Sequence, residues 1–315
     1  MPPDRPAVGT QHAEDTPGAV PAGPWPAGPD DPTAGSAYAV GTTCAVAALG
    51  QRDLQRIADA DPDLFPRVPF DAGVFTTLAM ANAFSAPWLS APDLRAANRA
   101  SLWAFRVDWF SDHVATEVEQ LDRFTATCLA VADGADPPDR LTAMLANIRH
   151  DLAPASNNVA GQAIWREELR RMLAAMTVEF GWRDRRTAVS VPEYLDNADN
   201  LGSSFVNVTH WLANPEPGHC PTADVLDATR AQQRVIRVLN DLATLDRDIA
   251  WGDLNLLRLG ADRAAADEVL VGLLRECDAA LARIRPGQPG LAAFLHRQVE
   301  FCRGFYGLTD YWGQW

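Results

Sequence analysis

Asn240, Thr244 and Asp248 place an amide oxygen, a hydroxyl and a carboxylate at intervals of four residues. On an α-helix that spacing draws them into one polar stripe. Three hard oxygen donors in a row suit Mg2+, whose shell is usually completed by phosphate oxygens and water rather than by an all-protein cage. Arg247 precedes the carboxylate by one residue, about 100° round the helix, where it can reach a phosphate bound to the same ion. A solvated helix face would show the same periodicity. Two features favour a metal-diphosphate site instead. Asn and Thr are mediocre helix formers that belong at caps. The stripe is also surrounded by apolar Val235, Ile236, Val238, Leu239 and Leu242. Unpaired polar groups in such a surround are costly, and a bound cation relieves that cost.

A second acidic pair stands in the run from Trp103 to His113, where Asp108 and Asp112 are one helical turn apart between Trp103, Phe105, Trp109 and Phe110. Two carboxylates at that distance repel unless a cation or a proton lies between them. Taken alone they read more readily as a surface pair with Arg106 nearby. Together with the first stripe they are more specific, because two helices of a bundle can face each other across the core and build one site.

The elements that must position these residues are helical. From Ala45 onward apolar residues fall at helical spacing, and neither sustained alternation nor a hairpin signal appears. Helices are expected around 45–60, 70–86, 91–132, 137–150, 157–182, 190–213, 222–258, 262–284 and 289–312. Gly- and Pro-rich breaks separate them, including Asp133 to Pro138, Gly181, Asn214 to Gly218 and Arg285 to Gly287. Residues 1–36, rich in Pro, Gly, Ala and Asp, read as a disordered tail. Residues 37–315 read as one all-α, single-domain helical bundle.

Composition removes several functions. The chain of 315 residues carries a formal net charge of −14, which argues against nucleic-acid binding. All 27 basic side chains are arginine, so neither a P-loop lysine nor a Schiff base is available. Cys44, Cys128, Cys220, Cys277 and Cys302 are scattered and odd in number, pointing to a reducing cytoplasm rather than disulfides or a zinc site. No apolar run is long enough for a membrane span, and residues 1–5 lack a secretory signal. The lysine-free, Ala- and Arg-rich usage fits a high-GC bacterial genome. His113, His150, His210 and His296 show no metal spacing and read as packing or surface residues.

With both motifs in view, the sequence resembles the bacterial class I terpene synthases. In that family an aspartate-rich motif on one helix and an NDxxSxxxE-type motif on another hold three Mg2+ ions around a prenyl diphosphate. Asn240, Thr244 and Asp248 match the second motif, Arg247 takes the basic diphosphate-binding place, and Gly252-Asp253-Leu254-Asn255-Leu256 matches the usual downstream sequence. The acidic motif lies roughly 130 residues upstream, and Trp103 and Phe105 match its aromatic lead-in. Pro192-Glu193-Tyr194-Leu195 and Gly202-Ser203-Ser204 resemble the segment entering a broken helix beside the diphosphate. The likeness spans about residues 65–312.

Three positions depart from the family pattern. Trp109 replaces the second carboxylate of the DDxxD sequence, Ala198 replaces the arginine that senses the diphosphate, and Asp310-Tyr311 replaces an Arg-Tyr pair. Arg183, Arg185 or Arg186 are candidate substitutes for the lost cations.

The resemblance implies Mg2+-dependent ionisation and cyclisation of a prenyl diphosphate. Asp108, Asp112, Asn240, Thr244 and Asp248 are then the metal ligands, and Arg247 and Tyr311 the catalytic contacts to the diphosphate. Phe84, Trp88, Trp109, Phe205 and Trp312 are candidates to line the pocket that shelters the carbocation. Trp109 either does so or packs between helices. A C20 substrate is expected, either geranylgeranyl or copalyl-type diphosphate; without a DxDD motif, protonation-initiated bicyclisation belongs to another protein. The alternatives are a sesquiterpene cyclase acting on farnesyl diphosphate and a non-catalytic isoprenoid-binding protein. A chain-elongating prenyltransferase fits less well, because it carries two aspartate-rich motifs. The partner expected is the small-molecule substrate, with a homodimer left open.

Overall fold

The computed structural model describes residues 37–152, 159–183, 189–214 and 221–313. The tail expected over residues 1–36 lies outside them, as do Arg185, Arg186 and Cys220. Eleven α-helices are present among the described residues, and no strand. They are α1 (Ala37–Ala60), α2 (Ala72–Ser85), α3 (Arg95–Trp109), α4 (Val118–Ala132), α5 (Arg140–Leu152), α6 (Val159–Trp182), α7 (Val191–Asp196), α8 (Ser203–Ala213), α9 (Ala223–Trp251), α10 (Arg263–Ile284) and α11 (Pro289–Phe305). No helix among them is long and apolar enough to cross a membrane.

The helices start where side chains satisfy their free N–H groups. Asp71 accepts from the Gly73 and Val74 amides, Thr222 from Val225, and Asp262 from Ala265. Ser190 and Glu193 form a reciprocal capping box on α7. Buried apolar side chains from all eleven helices join one cluster. At its centre Trp103 is wholly enclosed, with its indole N–H on the Leu141 carbonyl at 2.9 Å and its ring against Phe205.

Three expected helices are broken. The run expected over 222–258 ends at Trp251, where Gly252 turns left-handed, and resumes as a 3-10 turn, Leu256–Arg258. The other two breaks lie on the cavity. The run expected as one helix over 91–132 ends as α3, passes through a π-helical turn, Phe110–Val114, and turns extended at Ala115 before α4. The run over 190–213 splits into α7, a 3-10 turn (Ala198–Leu201) and α8 at Gly202. Gly202 adopts φ +69°, and a Cβ there would lie 2.7 Å from the Met172 sulfur and 3.3 Å from Ala104. A side chain is therefore excluded both by backbone strain and by the closeness of α3 and α6.

Candidate active site

Six helices surround a cavity whose non-atom space, open mouth included, is about 1310 Å3. Ser101, Ala104, Phe105 and Asp108 face it from α3 at spacings of three and four, and Asp112 and His113 continue from the π turn. Opposite them, Arg237, Asn240, Arg247, Asp248 and Trp251 face it from α9. Met176 and Glu179 come from α6, and Phe301 and Cys302 from α11, with Tyr306, Tyr311 and Trp312 beyond its end. The two motifs found in the sequence thus share one cavity.

The α9 motif is knitted together. Thr244 donates from Oγ1 to the Asn240 carbonyl at 2.8 Å and to Asp248 Oδ2 at 2.7 Å. Asp248 also accepts from Arg247 at 2.9 Å and from Asn255 Nδ2 at 2.8 Å. Thr244 is consequently 1% exposed and stands behind the cavity wall rather than on it. Asn240 donates from Nδ2 to the Tyr306 hydroxyl at 3.2 Å, which leaves its amide oxygen as the group available to a ligand.

The α3 side is different. Asp112 is clamped by Arg183, which donates 2.7 Å to its backbone carbonyl and pairs with its carboxylate. Asp108 has no hydrogen-bond or ion-pair partner among the described residues. Burial, then the charges of Asp253 and Glu179, push its carboxyl up to about 7. Burial and Asp108 hold Asp112 well above the carboxylate range. Burial and Asp248 raise Asp253 to about 6. A crowd of carboxylates that ionise reluctantly is what a cation would neutralise. Among the described residues no three carboxylate, imidazole or thiol groups converge tightly enough to hold an ion by themselves. The donors therefore fit Mg2+ sharing its shell with ligand oxygens and water.

Arginines complete the mouth. Arg247 pairs with Asp248 at 2.9 Å and with Asp310 at 3.1 Å, and lies over the Trp251 ring at 5.2 Å. Asp310, standing where an arginine was expected, thus engages Arg247 and accepts from the Trp312 amide at 2.7 Å. Ala198 is buried in the 3-10 turn. Arg237, one turn before Asn240, brings a guanidinium to the cavity instead. It pairs with Glu179 at 2.9 Å, donates to the Tyr194 hydroxyl, and stacks over that ring at 4.3 Å. Tyr194 donates in turn to Asp241 at 2.8 Å. Arg237 and Asp253 lie next to motifs already read and were findable by spacing; Glu179 and Tyr306 come from distant elements, whereas Arg183, already a candidate in the sequence, is the loop arginine that the described residues place on Asp112.

Of the five aromatic residues expected around the cavity, Trp312 lines it. Tyr311, expected to touch diphosphate, also lines it and packs between Phe105 and Phe305. Phe205 is enclosed between Trp103 and Trp165, and Phe84 stacks behind Phe301. Trp88 packs against the core away from the wall. Trp109, the last residue of α3, does not line the cavity but joins a cluster with Phe70, His113, Trp251 and Trp312. His113, expected as a packing or surface residue, is exposed and stacks on Trp109 at 4.1 Å, and it also borders the cavity; desolvation, then the charges of Arg183 and Arg247, lower its pKa to about 4.

Comparison with known proteins agrees with this geometry. Residues 99–259 match the family model of terpene synthase family 2, C-terminal metal binding, a span that contains both motifs. Among solved structures, 2-methylisoborneol synthase from Streptomyces coelicolor A3(2), in complex with Mg2+ and 2-fluoroneryl diphosphate, superposes with a TM-score of 0.65 at 18% identity over 90% of this chain and 96% of that one. Linalool/nerolidol synthase from Streptomyces clavuligerus, in complex with 2-fluorogeranyl diphosphate, gives 0.63 at 17% identity over 83% and 97%. A comparison with curated protein sequences finds no match. The fold is that of the all-α class I terpene synthases. The chain belongs to terpene synthase family 2.

Proposed function

We propose that the enzyme ionises a linear or bicyclic C20 prenyl diphosphate and closes rings on the resulting carbocation. The reading rests on one observation above all: Asp108 and Asp112 face Asn240, Arg247 and Asp248 across a single cavity whose wall also carries Phe105, Trp251, Phe301, Tyr311 and Trp312. Asp108, Asp112, Asn240 and Asp248, with Thr244 behind them, are the groups that would hold Mg2+. Bound there, Mg2+ supplies charge neutralisation of the departing diphosphate.

The chain's own residues do the rest. Arg247 and Arg237 present guanidinium groups to phosphate oxygens, Arg237 taking the place of the cation missing at Ala198. Phe105, Tyr311 and Trp312 turn ring faces and edges to the carbocation and keep bulk water from it. The C20 chain length follows from the departures at Trp109 and Ala198 from the common family pattern. The C10 analogues carried by the two solved relatives support a shorter one, and farnesyl diphosphate lies between.

Purified protein incubated with Mg2+ and, separately, geranyl, farnesyl, geranylgeranyl and copalyl-type diphosphates tests the reading by gas chromatography–mass spectrometry. A cyclic product from a C20 substrate that disappears with EDTA is the expected result. Turnover of only the C10 or C15 substrate corrects the chain length. Absence of diphosphate release from all four overturns the proposal.

A further inference from the structure

Part of the cavity wall is not the hydrocarbon surface that a carbocation alone would call for. Asn82 and Ser101 face it from α2 and α3, and Ser203, Asn207 and Gln298 face it from α8 and α11. On the first side the polar atoms satisfy one another: Asn82 Nδ2 donates to Asn98 Oδ1 at 2.9 Å and to Ser101 Oγ at 3.1 Å. The second side is a directed relay. Ser203 Oγ donates to Gln232 Oε1 at 3.3 Å, Gln232 Nε2 to Gln298 Oε1 at 3.1 Å, and Gln298 Nε2 to Asn207 Oδ1 at 2.8 Å. The relay ends on Asn207 Nδ2, which is buried and finds no acceptor among the described residues; Asn207 itself is 0% exposed.

Buried amide donors are satisfied by protein or by an ordered water, and dipoles in a chain strengthen the terminal N–H. A polar recess of this kind is where a single water is retained inside an otherwise apolar cavity. Neutral amides are also suitable neighbours for a carbocation, since they neither ionise nor compete as strong bases. We infer that this cyclase captures its final carbocation with a water held at Asn207, so that the product is a terpene alcohol rather than a hydrocarbon.

The inference rests on the cyclase reading above. The diphosphate leaves with the electron pair of the C–O bond. A lone pair of the water oxygen then forms the new C–O bond to the cation. One O–H bond of the resulting oxonium breaks, its electrons staying on oxygen, and the proton goes to an oxygen of the released diphosphate. The net change is hydrolysis with rearrangement of the carbon skeleton, and no further reactant is needed. Asn207 is here a positioning residue for the water, and Gln298 orients Asn207.

The experiment is turnover in H2(18)O with Mg2+, reading diphosphate release and product mass in the same sample. The expected result is an alcohol that carries 18O, and in Asn207→Leu at least a tenfold fall in alcohol per diphosphate released, with olefins rising to match. Gln298→Leu, which removes the donor to Asn207 Oδ1 but keeps the Nδ2 donor, should lower the alcohol share less. Diphosphate release accompanied only by hydrocarbons overturns the inference and leaves the cyclase reading intact. So does an alcohol without 18O, or an unchanged alcohol share in Asn207→Leu. Should no substrate release diphosphate, the cyclase reading fails separately. A high-resolution crystal structure then decides the water site: a water on Asn207 Nδ2 supports it and a dry recess overturns it.

Discussion

On α9, Asp248 accepts hydrogen bonds from Thr244, Arg247 and Asn255. Across the cavity, Asp108 at the end of α3 is bonded to none of the described residues, and the charge around it resists its ionisation. The two walls carry the same kind of carboxylate in opposite states. The α9 carboxylate is preorganised by partners that fix its direction. The α3 carboxylate is left exposed to repulsion that only a cation or a proton relieves. Such a site stores free energy on one side and geometry on the other, so neutralising the two walls should have opposite consequences for stability.

The largest effect should come from breaking the preorganised wall. Asp248→Asn keeps the shape but removes the charge, and turnover should fall about 10^3-fold, about 4 kcal/mol in the barrier. Helical circular dichroism should persist. Turnover within tenfold of the parent would detach Asp248 from the ionisation.

Next comes the residue that replaces a carboxylate on the unpaired wall. Trp109→Asp would complete the acidic sequence on paper, yet the side chain sits among Phe70, Trp251 and Trp312. We expect a loss of about 3–4 kcal/mol in urea unfolding and no gain in rate. A stable, faster variant would show that Trp109 belongs to the site after all.

Acid sensitivity separates the walls from the rest of the molecule. His210 lies on α8, flat against Phe294 at 4.7 Å, and burial lowers its pKa from 6.5 to about 4. Below pH 6.5 the unfolded chain takes up a proton that the folded protein refuses until about pH 4, so stability falls as pH falls through that window. His210→Phe should recover roughly 3 kcal/mol of the loss at pH 4 and change little at pH 8. An identical acid profile in the variant would assign the sensitivity to other groups.

The smallest effects draw the contrast most sharply. In EDTA at pH 8, Asp108→Asn should raise stability by about 1–2 kcal/mol by removing an unpaired, partly buried charge. Asn255→Leu should lower it by about 1–2 kcal/mol, because it strips hydrogen bonds from Asp248 and from the Asp241 carbonyl. Equal signs for the two would erase the difference between the walls.

How much of this was legible depends on where each interaction closes. Asn240, Thr244 and Asp248 lie within little more than two turns of one helix, so periodicity suffices to align them. The same holds for Arg237, which extends the stripe by one turn and needed only a longer window. Asp108 and Asp112 were legible as a pair, but the π turn between α3 and α4 was not, since its extra residue per turn leaves no mark on an apolar pattern. The fate of Trp109 depended on its partners from other elements and stayed open for that reason.

Composition and local pattern by themselves determined an all-α bundle, a chain without lysine chemistry, and two oxygen-rich helix faces, because those are properties of single segments and of totals. Tertiary structure decided which faces meet. It brought Arg183 onto Asp112, Tyr306 onto Asn240, Asp310 onto Arg247 and Gln298 onto Asn207, partners far apart in sequence and 91 residues apart in the last case. It also kept Phe205 in the core and Trp312 on the cavity wall, although both are aromatic residues near the motifs. The reason is physical: a helix advertises which side is apolar, whereas packing chooses the neighbour that side will touch.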